Sequence, residues 1–249
     1  MNNNHFKIII PLYNCEKYIK QCIENIQWQT YDNFQCIVVD DISTDNSLSI
    51  IMKTIGSDIR FRVIANTEKK FALQNIYEGI LESKPNNEDI IITVDGDDWL
   101  ADDTVLEKLN TVYSKSQCWL TYGSYMEYPS GQKGKFSVQI PDYIIENNLF
   151  RENQWMSSHL RTFKYHLWKQ IKVEDMLDSE GKFYKSAWDL AFMFPMLEMA
   201  GHRSKYISDI LYVYRQHEFN DHQVNHLLQL QYEREIRGKQ KYNLIIEKE

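Results

Sequence analysis

Short apolar runs alternate with amphipathic helical patterns along the first half of the chain, and this alternation limits the folds that the chain can adopt. The runs lie at residues 7–12, 34–39, 60–64, 89–94 and 118–125. Because most of them are apolar almost throughout, rather than at every second residue, they predict strands buried on both faces. Buried strands separated by helices form a mostly parallel sheet covered by helices on both sides. The sequence therefore predicts an α/β fold.

Helical patterns connect these strands. The first follows Asn14, which we expect to cap its N-terminus. Its apolar face comprises Ile19, Cys22, Ile23 and Ile26. Further helices are predicted at residues 48–55, 71–83 and 103–113.

The second half of the chain is less regular. Its predicted elements are a strand at residues 136–140, a helix at 143–149, a helix at 187–200, a strand at 207–214 and a helix at 226–249. The 249 residues include only 9 Gly and 5 Pro, and they contain no internal repeat and no clear linker. We therefore expect a single domain over residues 1–249.

Charge and apolar content argue against several functions. The formal net charge is −7, and an acidic surface repels nucleic-acid phosphates, so we expect no nucleic-acid partner. Every apolar run is far shorter than a membrane span, so we expect no transmembrane segment and a cytoplasmic location. Peripheral association with a membrane remains open. The four cysteines form no Cys-x-x-Cys pair, which favours reduced, buried thiols.

The strongest candidate site is the sequence Asp-Gly-Asp-Asp at residues 95–98, which follows the fourth predicted strand. Three carboxylates within four residues repel one another unless a cation compensates them. Oxygen ligands suit Mn²⁺ or Mg²⁺, and such an ion would stabilise a diphosphate as a leaving group. The alternative is a solvated acidic turn in which an aspartate caps the next helix.

A second acidic turn, with Asp40, Asp41 and Asp45, follows the second predicted strand. A carboxylate here would accept a hydrogen bond from a nucleobase N–H; the alternative is a group of helix-capping residues. Ligands of parallel sheets bind beyond the carboxyl ends of the strands, and both acidic turns lie at such ends.

Together with Ile-Ile-Pro-Leu-Tyr-Asn at residues 9–14, the two acidic turns resemble the motifs of the family-2 glycosyltransferases. The resemblance implies the GT-A fold, a Rossmann-like fold with a mixed, mostly parallel sheet. It implies transfer of a sugar, as in a hexosyltransferase, from a nucleotide sugar to a hydroxyl of a glycan, a lipid-linked sugar or a protein. UDP-sugars are favoured as donors. Residues 1–125 would bind the donor, 126–225 the acceptor, and 226–249 would form a C-terminal helix.

The resemblance also implies roles for individual residues. Asp41, with Asp40, contacts the nucleobase, which is usually uracil. The DxD-type site for metal and diphosphate comprises Asp95, Asp97 and Asp98, with Asp97 and Asp98 as metal ligands. The remaining donor-binding candidates are Pro11 and Tyr13 of the first motif, and Lys70. Lys70, next to Lys69, stands in a segment where relatives have an arginine and a glycine that this chain lacks.

Asp189, in Ser-Ala-Trp-Asp at residues 186–189, matches an acidic residue that the family places at the start of a helix after the DxD site. In inverting members this residue is the general base that takes the proton of the acceptor hydroxyl. Trp188 stands where relatives often have another acid. A plain helix cap is the alternative role for Asp189.

Two further candidates lie in later segments that look like parts of the family pattern. Arg161 would bind a phosphate through its forked donors, or form a structural ion pair. His217, with His222 as second choice, would complete the metal shell, as a histidine does in some relatives. An ordinary surface or core histidine is the alternative.

Two other functions are weighed against the transferase. A sugar nucleotidyltransferase needs a Gly-rich, basic N-terminal loop, and residues 8–14 contain no Gly, Lys or Arg. A non-catalytic sugar- or nucleotide-binding protein with the same fold remains open. The full set of aspartates argues against it, and substitution of Asp97 and Asp189 would distinguish the two.

Overall fold

A computed structural model describes residues 3–217 and 226–246. The strands are β1 Phe6–Leu12, β2 Phe34–Asp40, β3 Phe61–Ala65, β4 Ile90–Thr93, β5 Trp99–Leu100, β6 Leu120–Tyr128, β7 Arg161–Lys164 and β8 Ser204–Arg215. The helices are α1 Ile19–Gln27, α2 Ser47–Ile55, α3 Phe71–Glu82, α4 Val105–Lys115, α5 Asp142–Glu146, α6 Tyr165–Trp168, α7 Trp188–Ala200 and α8 His226–Gly238. Single 3₁₀ turns occupy Val173–Met176 and Gly201–Arg203.

The strands form one mixed sheet in the order β3-β2-β1-β4-β7-β6-β8-β5. The first four strands pair in parallel, and β6 pairs in parallel with β8. Strand β7 is antiparallel to both of its neighbours, and β5 is antiparallel to β8. The predicted fold class, a mostly parallel sheet flanked by helices, is confirmed.

The core lies on both faces of the sheet, because side chains alternate along each strand. In β1, Ile8 and Ile10 pack in one cluster with the apolar faces of α1, α2 and α4, whereas Ile9 packs in the other cluster with α3 and α7. The central strand is therefore apolar at consecutive positions. Helix α7 is buried over nearly its whole surface, which explains why its sequence is apolar all round.

Four local predictions need correction. Asn14 does not cap α1, which begins at Ile19; its Oδ1 accepts a hydrogen bond from the Thr44 backbone N–H at 2.8 Å. Residues 136–140 form no strand beyond a single bridge between Ser137 and Ser157. The C-terminal helix ends at Gly238, and residues 239–246 continue without helical structure. Strands β5 and β7 were not predicted, because each is too short to show a period.

A buried ion pair explains why residues 239–246 are held against the protein. Nη2 of Arg151 lies 2.9 Å from Oε2 of Glu198 on α7, and the two side chains are 3% and 0% exposed. The Tyr242 backbone N–H donates to the same Oε2, and Nη1 of Arg151 donates to the Ile236 carbonyl. Among the described helices, none has the length and apolar character needed to cross a bilayer.

Candidate active site

The Asp-Gly-Asp-Asp turn follows β4 and packs directly against the end of β1. A Cβ atom on Gly96 would lie 2.7 Å from Cβ of Leu12, closer than real Cβ contacts allow. Only glycine fits between Asp95 and Asp97 without a shift of the backbone. The close packing of β1 against this turn therefore determines where the two aspartates lie.

Asp98 is buried, with 1% of its surface exposed, and both of its carboxylate oxygens accept hydrogen bonds from β8. The Tyr212 hydroxyl donates to Oδ2 at 2.8 Å, and the Arg215 backbone N–H donates to Oδ1 at 2.7 Å. The carboxylate thus joins the acidic turn to the last strand of the sheet. Burial, followed by the nearby Asp97 and Asp95, raises the pKa of Asp98 well above its ordinary value.

Asp97 lies on the same turn, opposite His217. Its Oδ2 lies 2.8 Å from Nε2 of His217, and the two side chains remain 21% and 16% exposed. The imidazole stacks on the ring of Tyr18, with centroids 5.1 Å apart. Nε of Arg215 donates to the Asp97 carbonyl. The structure thus brings together Asp97 and His217, which are 120 residues apart in sequence. His222 lies outside the described residues.

Asp95 connects the acidic turn with the region of Asp189. Burial raises the pKa of Asp95 to about 7; Arg161 opposes this effect, while Asp97 and Asp189 add to it. Nη1 of Arg161 lies 3.0 Å from Oδ2 of Asp189. The charges of Arg161 and Asp189, which form an ion pair with each other, therefore both act on Asp95.

Asp189 stands in the first turn of α7, as the sequence predicts. The chain enters this helix through Ala187, whose φ of 50° is in the left-handed region that residues with a Cβ seldom adopt. Burial raises the pKa of Asp189, and the charge of Arg161 lowers it. The side chain is 20% exposed, so part of it remains accessible to solvent.

The two aspartates at the end of β2 differ in their surroundings. Asp41 accepts hydrogen bonds from the backbone N–H groups of Lys70 and Phe71 and from the amide of Asn66, all between 2.9 and 3.0 Å. It therefore satisfies donors at the start of α3. Oδ1 of Asp40 is buried and accepts no hydrogen bond from the described residues, while its Oδ2 accepts one from the Ser43 N–H.

The adjacent lysines also differ. Nζ of Lys70 pairs with Glu78 of α3 at 2.7 Å. Nζ of Lys69 instead lies over the ring of Tyr13 and 3.3 Å from Oδ2 of Asp41. The lysine that contacts Asp41 and Tyr13 is thus Lys69, the neighbour of the residue chosen from sequence. Tyr13 is exposed, and Pro11 is buried at the end of β1.

His159 is a functional candidate that the sequence did not single out. Its ring stacks on Tyr212 with centroids 4.5 Å apart, and its Nδ1 has no partner among the described residues. Ligand atoms of His159, Asp95 and Asp98 lie within 4.8 Å of one another. Burial, then Arg161, lowers the pKa of His159 well below its ordinary value, so the ring is neutral at pH 7. Only the tertiary fold brings this residue to the acidic turn.

The geometry combines an acidic turn, a histidine and a separate carboxylate at one edge of an α/β sheet. The sequence model of the family described as Glycosyl transferase family 2 matches residues 7–174. The chain belongs to this family. Residues 7–174 include both acidic turns, Arg161 and His159, and they end before Asp189.

Family-2 relatives of known sequence support the assignment. The chain is 30% identical over 219 residues to glycosyltransferase GlyG of Streptococcus pneumoniae, which covers 84% of this chain and 69% of GlyG. It is 24% identical over 215 residues to the uncharacterized glycosyltransferase EpsJ of Bacillus subtilis, covering 84% of this chain and 60% of EpsJ.

Several solved structures share the fold. TarS of S. aureus superposes with a TM-score of 0.67 and 20% identity, over 90% of this chain and 39% of TarS. A TarS 1–349 complex with UDP-GlcNAc gives a TM-score of 0.65 and 18% identity, over 89% of this chain and 61% of that one. Mannosyltransferase PcManGT of Pyrobaculum calidifontis, in complex with GDP-Man and Mn²⁺, superposes with a TM-score of 0.62 and 18% identity. The match covers 96% of this chain and 66% of PcManGT.

Proposed function

We propose that this glycosyltransferase moves a hexosyl group from a UDP-sugar to an acceptor hydroxyl in the cytoplasm, with a divalent cation and with inversion at the anomeric carbon. The observation that supports the proposal is the ion pair between Asp189 and Arg161, whose two charges both act on Asp95 of the acidic turn. In a direct displacement, the donor sugar and the general base that activates the acceptor hydroxyl must be held next to each other before the reaction begins.

The residues of the acidic turn fit a divalent cation. Carboxylate oxygens and a neutral imidazole nitrogen suit Mn²⁺, and carboxylates alone suit Mg²⁺. Asp97 and His217 face each other and are partly exposed, so we propose them as ligands. Asp98 completes the DxD-type set, although both of its oxygens already accept hydrogen bonds from β8. When bound, the cation would neutralise charge on the diphosphate leaving group.

Asp40 is the best candidate to contact the nucleobase. A buried carboxylate oxygen without a donor is costly, and a base N–H would satisfy it. Uracil, thymine and guanine each offer such an N–H beside a carbonyl oxygen. Asp41 would act indirectly, by holding Lys69 and the start of α3. The family resemblance favours uracil among these bases.

Asp189 would take the proton of the acceptor hydroxyl as that oxygen attacks the anomeric carbon. Its partial exposure gives an acceptor access, and the pairing with Arg161 favours the ionised carboxylate, the form that can take a proton. The acceptor would be a hydroxyl of a glycan, a lipid-linked sugar or a protein. Residues 126–217 would shape its site.

Calorimetry with UDP, GDP and dTDP, each with and without Mn²⁺, tests the donor site. We expect tight binding of UDP that depends on Mn²⁺, and a loss of about tenfold or more in Asp97→Asn, since a ligand of the cation is removed. If no nucleotide binds to the folded protein, the donor site is refuted.

Asp189→Asn separates a transferase from a non-catalytic binding protein. The variant should bind UDP as the wild type does, yet its transfer or donor hydrolysis should fall by about 100-fold or more, because the general base is lost. If both proteins bind a UDP-sugar equally and neither turns it over with any acceptor, the binding-protein alternative is favoured. A product that kept the donor's anomeric configuration would contradict the role of Asp189 as base.

A further inference from the structure

The ion pair between Arg161 and Asp189 has a geometry that restricts what Arg161 can do. Nη1 of Arg161 lies 3.0 Å from Oδ2 of Asp189, and the Arg161 side chain is only 2% exposed. A phosphate that neutralised this guanidinium would have to reach a group that is almost fully buried. Asp189, at 20% exposure, is the more accessible member of the pair.

Two neighbours hold Arg161 from other directions. It lies on β7, in register with Tyr122 of β6, so its backbone position is set by the middle of the sheet. Its guanidinium carbon lies 5.2 Å from the ring centroid of Trp188, within cation–π distance. Trp188 carries no charge, so it packs against Arg161 without neutralising the guanidinium. Asp189 is left as the carboxylate that the guanidinium binds.

We propose that Arg161 is a positioning residue for Asp189, which fixes the direction of the carboxylate and keeps it ionised, and that Arg161 is not a phosphate ligand. This proposal rests on the proposed function, in which Asp189 is the base. A base acts efficiently only when it is held within hydrogen-bond reach of the acceptor proton, and a mobile carboxylate would lose that alignment.

Several charged groups act on the ionisation of Asp189, and Arg161 opposes the effect of the acids among them. Asp95 interacts with Asp189 from the end of β4, Glu233 from α8, and Tyr125 from β6. Asp95 and Glu233 are acids whose negative charge opposes ionisation of Asp189, and burial opposes it further. Among the described residues, Arg161 makes the largest contribution that favours the ionised form, and the backbone N–H groups of Asp189 and Leu190 add to it. Without it, the carboxylate would titrate at higher pH.

The test compares Arg161→Gln and Arg161→Lys with the wild type. The titration of Asp189 is followed by ¹³C NMR on protein labelled at the aspartate carboxyl, with Asp189→Asn used to assign the resonance. UDP affinity in Mn²⁺ and the rate of UDP-sugar turnover are measured on the same samples. Arg60→Gln is the control, because Arg60 pairs with Asp32 and Asp58 at the amino-terminal end of β3, whereas the acidic turns follow the carboxyl ends of their strands.

We expect the Asp189 midpoint to move to higher pH in Arg161→Gln but not in Arg60→Gln. Turnover at neutral pH should fall by about 100-fold in Arg161→Gln, while UDP affinity stays within about twofold. Arg161→Lys keeps the positive charge but loses the forked donors of the guanidinium. The titration midpoint of Asp189 in this variant should therefore stay close to that of the wild type, while turnover still falls. In an Asp189→Asn background, Arg161→Lys should cause no further loss, since both residues act as a unit.

Other outcomes overturn the proposal. An unchanged midpoint in Arg161→Gln would exclude control of Asp189 by Arg161. A tenfold or greater loss of UDP affinity in Arg161→Lys, with turnover at saturating donor preserved, would make Arg161 a phosphate ligand after all. The NMR titration needs no substrate, so it tests the pairing even if the proposed function fails. That failure would be seen separately, as absence of nucleotide binding to the wild type.

Discussion

The hydroxyl of Tyr212 donates a hydrogen bond to Oδ2 of Asp98 at 2.8 Å, and it also accepts one from the backbone N–H of Asp95 at 3.1 Å. A single hydroxyl on β8 therefore holds both ends of the acidic turn that follows β4. Since Tyr212 is fully buried, no solvent would replace that hydroxyl.

Tyr212→Phe removes the hydroxyl and leaves the Asp95 N–H without its partner. We expect a loss of about 1–3 kcal/mol in the free energy of unfolding, measured by urea denaturation. UDP affinity in Mn²⁺ should fall as well, because the turn loses its anchor. Tyr206→Phe is the matched control on the same strand, since the Tyr206 hydroxyl bonds to Ser124 instead. Equal effects of the two substitutions on UDP affinity would contradict this account.

Gly96→Ala tests the close packing of the acidic turn against β1. The added methyl group would lie 2.7 Å from Cβ of Leu12, so the turn must shift, and we expect a destabilisation of about 1–3 kcal/mol with weaker nucleotide binding. Thermal denaturation and calorimetry measure the two effects. Gly238→Ala is the control, because no atom of the part of the chain that the structure describes lies within 4 Å of its added Cβ. An unchanged melting temperature in Gly96→Ala would refute the tight contact.

Asp41→Asn should lower stability in a way that depends on pH. Burial would raise the pKa of Asp41, but hydrogen bonds from Lys70, Asn66 and Phe71 outweigh it, and the folded-state pKa lies below the ordinary value. The carboxylate therefore stabilises the fold above its unfolded pKa of about 3.9, and this contribution is lost as pH falls through the folded-state pKa.

The corresponding measurement is urea unfolding of Asp41→Asn at several pH values. We expect the free energy of unfolding to be about 1–3 kcal/mol lower than that of the wild type at pH 7, and this difference should narrow as the pH falls below about 4. Asp40→Asn, whose buried Oδ1 lacks a donor in the wild type, should lose nucleotide binding with little change in stability. A deficit of Asp41→Asn that is the same at acid and neutral pH would show that its ionised form is not what matters.

Glu198→Gln should be the most destabilising of these substitutions. It leaves the Arg151 guanidinium buried without a counter-charge, which costs about 3–5 kcal/mol in comparable cases. Proteolysis near residues 239–246 should also accelerate, because Glu198 binds the Tyr242 N–H. Glu82→Gln is the control, as Glu82 pairs with Arg62 with both side chains about half exposed, and its loss should cost less than about 1 kcal/mol. Similar losses of unfolding free energy in Glu198→Gln and Glu82→Gln would contradict the conclusion that Arg151 is buried and depends on Glu198 as its counter-charge.

Much of the fold could be predicted from local patterns. Strands β1, β2 and β4 appear as apolar runs because they are central and covered on both faces. Strand β7 could not be recognised, because its four residues include a buried Arg161 whose charge is compensated from α7. The end of α8 at Gly238 was missed for a similar reason, since residues 239–246 are held by Glu198, a residue distant in sequence.

The sequence by itself determined the fold class, the two acidic turns and the position of Asp189, because each depends on neighbouring residues: apolar period, turn composition and the start of a helix. Tertiary structure alone decided which aspartates have free oxygens. Hydrogen bonds from β8 occupy Asp98, and those from the start of α3 occupy Asp41, whereas Asp40 keeps a buried oxygen to which no described residue donates. Tertiary structure also decided the pairing of Arg161 with Asp189, because a contact between residues 28 apart depends on how β7 and α7 pack.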